Sequence, residues 1–535
     1  MAEQAVCFFA LLLLMCLRCI AVVGSPYLFA EDSSIFIARA IDSEWNALVT
    51  PYAGYFHLVA QLTADIAWKT CDVFNNATLL PYLLNIPAVL IATAILCYFT
   101  NDTFAWIVPK RRNRLICIGI ALCFITYAEM FWNITYLQWW MGFYFFLVGL
   151  DTVHRLELPN WRRMSILFLF GLSCPQIVLL LPVFGFAVIY RLAKKTFVLS
   201  DGAKSVCILL PCIVQTISAI QLRIAPGASL SQLPVYIKQA IMHFFDIAGR
   251  LITPKGFSEN VVRNAVIGLV LLCILIGYCV YNAVIQKTLT KPAVFAVFSV
   301  CWAGMQYMMN VVSLGKIVSE AGRYCFVPLM VIGLLFAAAV MEWIPNQTGR
   351  AVLLCFFMIV CVPRFEVPLS AEMTAVYRQF SSLYERNAAR RLRIDTAPYF
   401  GDYHWFVPLP VPEYTENDIG ISYSIESMDN LPVNSRTEQI EWIKVTGWAY
   451  DTETESAFAY LLADDGVFYY PLMPLYRSDI AEERGLPGIL QCGFYGYLPA
   501  SLFTENIPAV RIVGIHADNT AYGTGEFILS VSAAA

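Results

Sequence analysis

Stretches of roughly twenty apolar residues with hardly a charge recur along this chain, and a helix of that length crosses a bilayer at about 1.5 Å per residue. Of 535 residues, 59% are hydrophobic and 14% charged, and the mean hydropathy is +0.63. Soluble domains have about 45–50% apolar and about 25% charged residues. A core cannot hide such an excess, because a soluble fold still needs a polar surface. The sequence therefore predicts an α-helical polytopic membrane protein.

Candidate spans lie near 5–24, 79–99, 115–128, 134–150, 164–174, 176–190, 205–222, 264–285, 292–312, 324–343 and 351–363. The first reads as a span rather than a signal peptide, since no basic segment precedes it, Arg18 interrupts it and no small-residue cleavage site follows. The stretch Met164 to Tyr190 could be one kinked helix or two meeting at Ser173-Cys174-Pro175. Loop charge chooses between them. Clusters at Lys110-Arg111-Arg112, at Arg155, Arg162 and Arg163, at Arg191, Lys194 and Lys195, at Lys287 and Lys291, and at Arg350 all fall on one side only if 164–190 holds two spans. By the positive-inside rule that side is the cytoplasm. The prediction is about 11 transmembrane helices over residues 1–363, with the N-terminus inside and the C-terminus outside.

The tail differs in kind. From Glu366 onward there are 23 acidic and 10 basic residues, against 16 acidic and 25 basic before it. Residues 364–416 read as an amphipathic helix, Ser370 to Ile394, with an Arg-rich end (Arg386, Arg390, Arg391, Arg393), then a linker with Pro398, Pro408, Pro410 and Pro412. Residues 417–535 become strand-like. Glu441 to Tyr450 alternates with period two, and Phe458 to Ala463 and Val467 to Tyr470 flank the turn signal Asp464-Asp465-Gly466. Arg511 to His516 and Phe527 to Val531 are further candidate strands. The prediction is an extracytoplasmic antiparallel β-sandwich. The basic residues form no nucleic-acid footprint. Most of the 17 cysteines sit in apolar stretches and act as small hydrophobes. Cys71 and Cys492 are the clearest exceptions, and a bridge between them is conceivable.

The candidate site residues lie in the predicted outer loops. Glu31 and Asp32 follow the first span closely, where a carboxylate needs water or a cation; Asp32 could instead cap the next helix. Arg39 and Asp42, three apart, suit a structural pair. Tyr52, Tyr55 and His57 stand in Pro51-Tyr-Ala-Gly-Tyr-Phe-His57, and suit sugar contacts or an interfacial aromatic belt equally. Glu129 and Asn133 are one helical turn apart, followed by Gln138 and the interfacial anchors Trp139 and Trp140. Lys316, Glu320 and Arg323 would share one helix face. Its two cations could hold a phosphate, or form a surface pair beside a snorkelling arginine. There is no Walker loop, GxGxxG, HExxH or serine elbow, which argues against ATP-driven pumps and ordinary hydrolases.

In order along the chain, Glu31-Asp32, the run Pro51 to Leu58, Glu129 with Asn133-Ile-Thr-Tyr-Leu-Gln-Trp139, and Gly171-Leu-Ser-Cys-Pro175 with its following Leu-Leu-Leu-Pro182 resemble the C-type membrane glycosyltransferase superfamily, specifically bacterial O-antigen and cell-envelope types. Arg323-Tyr324 adds a weaker point. Gly447-Trp-Ala449, Arg477-Ser-Asp-Ile-Ala481 and Gly493-Phe494 are similar to a β-sandwich attached to some envelope glycosyltransferases, which implies glycan binding or acceptor positioning. The superfamily resemblance implies a polyprenyl-phosphate-linked sugar donor, a glycan or lipid-linked acceptor, a bacterial inner-membrane location and inversion at the anomeric carbon. Asp32 would be the general base, with Glu31 sharing or orienting that role. Lys316, Arg323 and Tyr324 would hold the donor phosphate, and Tyr52, Tyr55, His57, Glu129, Asn133 and Gln138 would line the substrate site. Relatives often carry Arg where Gln61 stands, which shifts the phosphate task to Lys316 and Arg323. No cofactor or metal is implied; a divalent ion would need Glu31, Asp32 and Glu129 to converge. The competing expectations are a flippase for a lipid-linked saccharide and a non-catalytic scaffold with a glycan-binding domain.

Overall fold

The computed structural model describes residues 2–24, 26–42, 44–125, 128–221, 233–250, 253, 260–285, 291–314, 323–343, 347–349, 351–352, 371–386, 388–400, 403–414, 421–430, 442–499, 510–517 and 521–523. They form two compact units. The first holds Met1–Gly24, Trp45–Thr63 and Leu84–Pro368; the second holds Ser25–Glu44, Ala64–Leu83 and Leu369–Ala535. Two early segments, Ser25–Glu44 and Ala64–Leu83, thus group with the tail.

The first unit is helical. Among the described residues of the chain, five helices are long and apolar enough to cross a bilayer: Ala77–Phe99, whose first turns belong to the second unit, Pro175–Ala193, Leu199–Gln221, Lys291–Val311 and Arg323–Met341. Each coincides with an expected span. The expected count of about eleven is not reached among the described residues. The first helix, Ala2–Arg18, ends before a turn at Cys19. Arg18 there donates to the carbonyl oxygens of Ile125, at 2.5 Å, and Leu122, at 3.5 Å. Those carbonyls lie at the end of helix Arg111–Cys123, where a cation is favoured. That helix has 13 residues and Trp161–Gly171 has 11, about 20 Å and about 17 Å at the α-helical rise. Val261–Gly277 is a shorter apolar helix, and residues 353–363 lie outside the described residues.

The stretch 164–190 is two helices, Trp161–Gly171 and Leu180–Ala193, joined through the 3-10 turn Pro175–Leu179. Pro175 opens that turn, where its missing N–H costs nothing. Helix Leu233–Arg250 lies between the expected spans 205–222 and 264–285, where the sequence predicts no helix. Its buried positions Ala240, Phe244, Ile247 and Ala248 follow a helical stripe. It crosses helix Val261–Ile285 at two glycines. A Cβ on Gly249 would stand 1.9 Å from the Asn264 carbonyl oxygen, and one on Gly268 would stand 2.0 Å from that of Phe245.

Among its described residues the second unit is built on nine strands: β1 (Arg390–Phe400), β2 (Tyr403–Val411), β3 (Ile421–Asn430), β4 (Trp442–Asp451), β5 (Tyr460–Asp464), β6 (Phe468–Leu475), β7 (Gly493–Pro499), β8 (Arg511–Ile515) and β9 (Ala521–Gly523). The order is β3-β4-β7-β6-β5-β8-β9, with β1 pairing β2 and β6. The sheet is mixed rather than wholly antiparallel, because β1 runs parallel to β6. Strand β6 pairs with β5 through Leu472 and with β7 from Met473. Ile443, Val445, Phe494 and Leu498 from β4 and β7 share one core with Leu461, Ala463 and Ile512 from β5 and β8. The Asp464-Asp465-Gly466 hairpin forms as predicted. Gly466 takes φ +84°, and the Asp465 carboxylate accepts from Val467 N at 2.7 Å and Phe468 N at 2.6 Å.

The expected Pro-rich linker instead carries β1 and β2. Pro408 and Pro410 sit two apart in β2, so their missing N–H groups share one side of the strand. Only β1 pairs with β2 among the described residues, which is the edge position that tolerates proline. The amphipathic helix is confined to Ala371–Phe380. The arginines beyond it contact protein. Arg386 pairs with Asp72 at 3.0 Å, Arg390 with Asp464, Arg391 with Asp42 at 3.9 Å, and Arg393 lies 3.8 Å over the Phe406 ring. The tail grips the early segments further. Tyr384 donates to Asp72 at 3.0 Å and packs on Trp68, and Tyr377 donates to the Ala77 carbonyl at 2.8 Å. Cys71 and Cys492 are both buried free thiols. Residues 527–531, an expected strand, lie outside the described residues.

Candidate functional site

In the first unit, Tyr52 and Tyr55 exchange backbone hydrogen bonds of 2.9 and 3.2 Å across a tight turn. Ala53 and Gly54 have φ +51° and +89°, the left-handed pair that a mirror-image hairpin turn requires. The two tyrosine rings flank His57, with centroids 5.9 Å and 4.5 Å away. The loop is tied down where it enters helix Leu58–Phe74. Gln215 accepts from Phe56 N at 3.0 Å and donates to the carbonyls of Phe56, at 3.3 Å, and Gly171, at 3.0 Å. Ser173 Oγ accepts from Val59 N at 2.8 Å. Gln215 went unmarked in the sequence; the signal was an amide inside an otherwise apolar span.

The Tyr55 phenol is hydrogen-bonded to the Gln138 side chain and lies in the field of Tyr324, Arg323 and Cys174. Burial pushes its pKa well above the ordinary phenol value, ahead of the opposing effects of Gln138 and Arg323. At neutral pH it is an uncharged hydrogen-bond donor. Arg323 opens a 3-10 turn leading into helix Phe326–Ala338. Its guanidinium donates to the Tyr136 hydroxyl at 3.1 Å and lies 5.5 Å and 5.3 Å from the Tyr136 and Tyr324 ring centres. Tyr324 packs edge-on to Trp139, and its carbonyl accepts from Asn310 Nδ2 at 2.6 Å. Cys174 donates to the Gln138 carbonyl at 3.2 Å.

The structure thus gathers Tyr52, Tyr55, His57, Gln138, Arg323 and Tyr324. Glu129 is half-buried on the turn Ala128–Phe131. Asn133 has a local duty: its amide donates to the Glu129 carbonyl at 2.5 Å and accepts from Tyr136 N at 2.9 Å. It shapes the turn that presents Tyr136 to Arg323. Lys316 and Glu320 lie outside the described residues.

Glu31 and Asp32 belong to the second unit. The sequence placed them where water reaches, yet Glu31 is 7% exposed and Asp32 0%. They begin the π-helical turn Asp32–Ile37, entered through Ala30 at φ +42°. Ser34 fastens that turn to β2, accepting from Phe406 N at 2.6 Å and donating to its carbonyl at 2.8 Å. A substrate hydroxyl reaches Asp32 only if its surroundings open. Asp42, expected beside Arg39, faces Arg391.

The envelope-type motifs of the tail also converge. Trp448, Ile480, Ala481 and Cys492 form a small core. Beside it Arg477 holds Asp479 at 2.6 Å and Glu426 at 2.8 Å. A Cβ on Gly493 would meet the Arg477 side chain at 2.4 Å, and one on Gly447 would meet the Ser424 carbonyl oxygen at 2.2 Å. These residues shape the sheet. Among the described residues no group of three or more His, Cys, Asp or Glu side chains is placed to hold a metal ion. Compared with models of known families, with curated proteins and with solved structures, the chain matches none.

Proposed function

We propose that this chain is a membrane glycosyltransferase that moves a sugar from a polyprenyl-phosphate donor to an envelope glycan or lipid-linked acceptor, with inversion, on the extracytoplasmic face of a bacterial inner membrane. The observation that carries the proposal is the cluster of Tyr55, Gln138, Tyr136, Arg323 and Tyr324. A guanidinium flanked by phenols, at the start of an apolar helix, suits a phosphate whose lipid stays in the bilayer. In the proposed topology about eleven spans carry this site, with the N-terminus inside and the sheet domain outside.

In the proposed step, Asp32 takes the proton from the acceptor hydroxyl as its oxygen bonds to the anomeric carbon. The bond from that carbon to the phosphate oxygen breaks, and the lipid phosphate leaves. Glu31 orients the base. Arg323, with Lys316, offsets the charge growing on the phosphate, and the neutral Tyr55 phenol donates a hydrogen bond. Tyr52 and His57 form the aromatic wall for the sugar.

The test is transfer of radiolabelled sugar in membranes containing the full chain. Asp32→Asn is expected to lower transfer by at least about a hundredfold, the ordinary contribution of a general base, with insertion unchanged. Arg323→Ala is expected to raise the donor KM. Full transfer by Asp32→Asn would overturn the base assignment. Label crossing vesicles without a new glycosidic bond would replace the enzyme with a flippase.

A further inference from the structure

Within the first unit a partly open cavity of about 1070 Å³ lies where the apolar helix Ala77–Phe99 ends. Its apolar lining comes from three helices: Phe8 and Phe9 of the first helix, Ile91 and Ile95 of Ala77–Phe99, and Ile166 and Phe170 of Trp161–Gly171. Its polar lining comes from the end of Ala77–Phe99 and the chain beyond it, and carries Arg111, Arg162 and Arg163 with Asp102. From Tyr98 to Ile91 is seven residues, about 10 Å along a helix. That is a headgroup-to-acyl descent.

The charges at the cavity do not cancel. Arg111 bonds Glu3 at 2.8 Å and Asp102 at 2.7 Å, and Arg114 shares Asp102. Arg155 and Arg163 both bond the single carboxylate of Asp151, each at 2.6 Å. Arg162 is exposed and has no carboxylate partner among the described residues. Three guanidinium groups line the cavity, those of Arg111, Arg162 and Arg163, against the one lining carboxylate of Asp102. In the ion pairs that reach beyond the lining, Arg114 and Arg155 share the carboxylates of Asp102 and Asp151, so five guanidinium groups, with Arg162, stand against three carboxylates, an excess of two positive charges.

We propose that this cavity is a binding site for an anionic glycerophospholipid, whose headgroup phosphate sits at Arg162 and Arg163 and whose acyl chain lies between the first helix and helix Trp161–Gly171. An apolar wall alone accepts any lipid; the uncancelled arginines make the site select charge. The volume exceeds the roughly 300–1,000 Å³ of small-molecule pockets, as a headgroup with part of an acyl chain requires. The site is separate from the Arg323 cluster, and the proposal does not rest on the glycosyltransferase reading.

The experiment titrates the full chain, purified in neutral detergent, with phosphatidylglycerol or with phosphatidylcholine of the same acyl chains, counting bound lipid by native mass spectrometry. Two uncancelled charges are expected to favour phosphatidylglycerol by about twentyfold, and Arg162→Ala to remove about fivefold of it. Ala94→Trp, on the cavity wall, is expected to weaken both lipids alike. Equal affinity for the two lipids, or phosphatidylglycerol affinity unchanged in both variants, would overturn the proposal. So would full displacement of the lipid by millimolar inorganic phosphate, since that would mark a site for a free anion.

Discussion

Asp451 shows how one buried carboxylate can serve the sheet domain. Its side chain is fully buried, which alone would raise its pKa. The effect is outweighed by bonds from Thr454 Oγ1 at 2.8 Å, Glu453 N at 2.7 Å, His516 Nε2 at 2.8 Å and Thr454 N at 3.3 Å, so the carboxyl titrates below its ordinary 3.8. Arg477 likewise holds the exposed Asp479 at about 2. A depressed carboxyl lends stability that is complete above the unfolded value and is lost as pH falls through the folded one. The sheet domain is therefore expected to lose stability from about pH 4 downward, followed by denaturant unfolding between pH 6 and pH 2.5. Asp451→Ala should cost about 2 kcal/mol near neutrality, because it orphans buried donors, and should flatten the acid limb. An unchanged limb would remove Asp451 from that role. Its turn was not marked in the sequence, because nothing local announces that His516, 65 residues on, would close it. The Asp465 turn was legible, because Asp-Gly and the flanking alternation lie within a few residues.

Among the elements, the crossing of Leu233–Arg250 and Val261–Ile285 is the most demanding contact. The Gly249 position meets backbone atoms of Asn264 and Gly268, which cannot swing aside. Gly142 meets a side-chain atom instead, Gln176 Oε1 at 1.6 Å. Gly249→Ala should push the helices apart and cost about 1–3 kcal/mol or more, while Gly142→Ala should cost less as Gln176 turns. Thermal unfolding in detergent, compared between the two variants, decides the order; the reverse ranking would refute the close crossing. The helix itself was hidden in the sequence because its apolar stripe is shared with polar residues and is too weak to read as a span. Strands β1 and β2 were hidden for another reason. Arginines and prolines argue against a strand until the neighbours are known, and only pairing at an edge makes Pro408 and Pro410 acceptable.

At the scale of the molecule, long apolar runs and a charge break near residue 366 made an apolar helical part and a sheet-bearing tail legible. They could not reveal that Ser25–Glu44 and Ala64–Leu83 belong with the tail, since that depends on contacts such as Ser34 to Phe406 across 372 residues. A chain ending at residue 368 should therefore lose more than its sheet. Trp68, Asp72 and the turn at Asp32 would be stripped of Tyr384, Arg386 and β2. Limited proteolysis is expected to cut such a chain within 26–42 and 64–83, sites protected in the full chain; equal protection would show the tail to be a detachable module. The interleaving also sets a clock. At roughly 5–20 residues per second of synthesis, the turn bearing Glu31 and Asp32 leaves the ribosome tens of seconds before β2 exists to receive it. Through that interval two carboxylates destined for burial wait in the open, and a ribosome that stops early leaves them there.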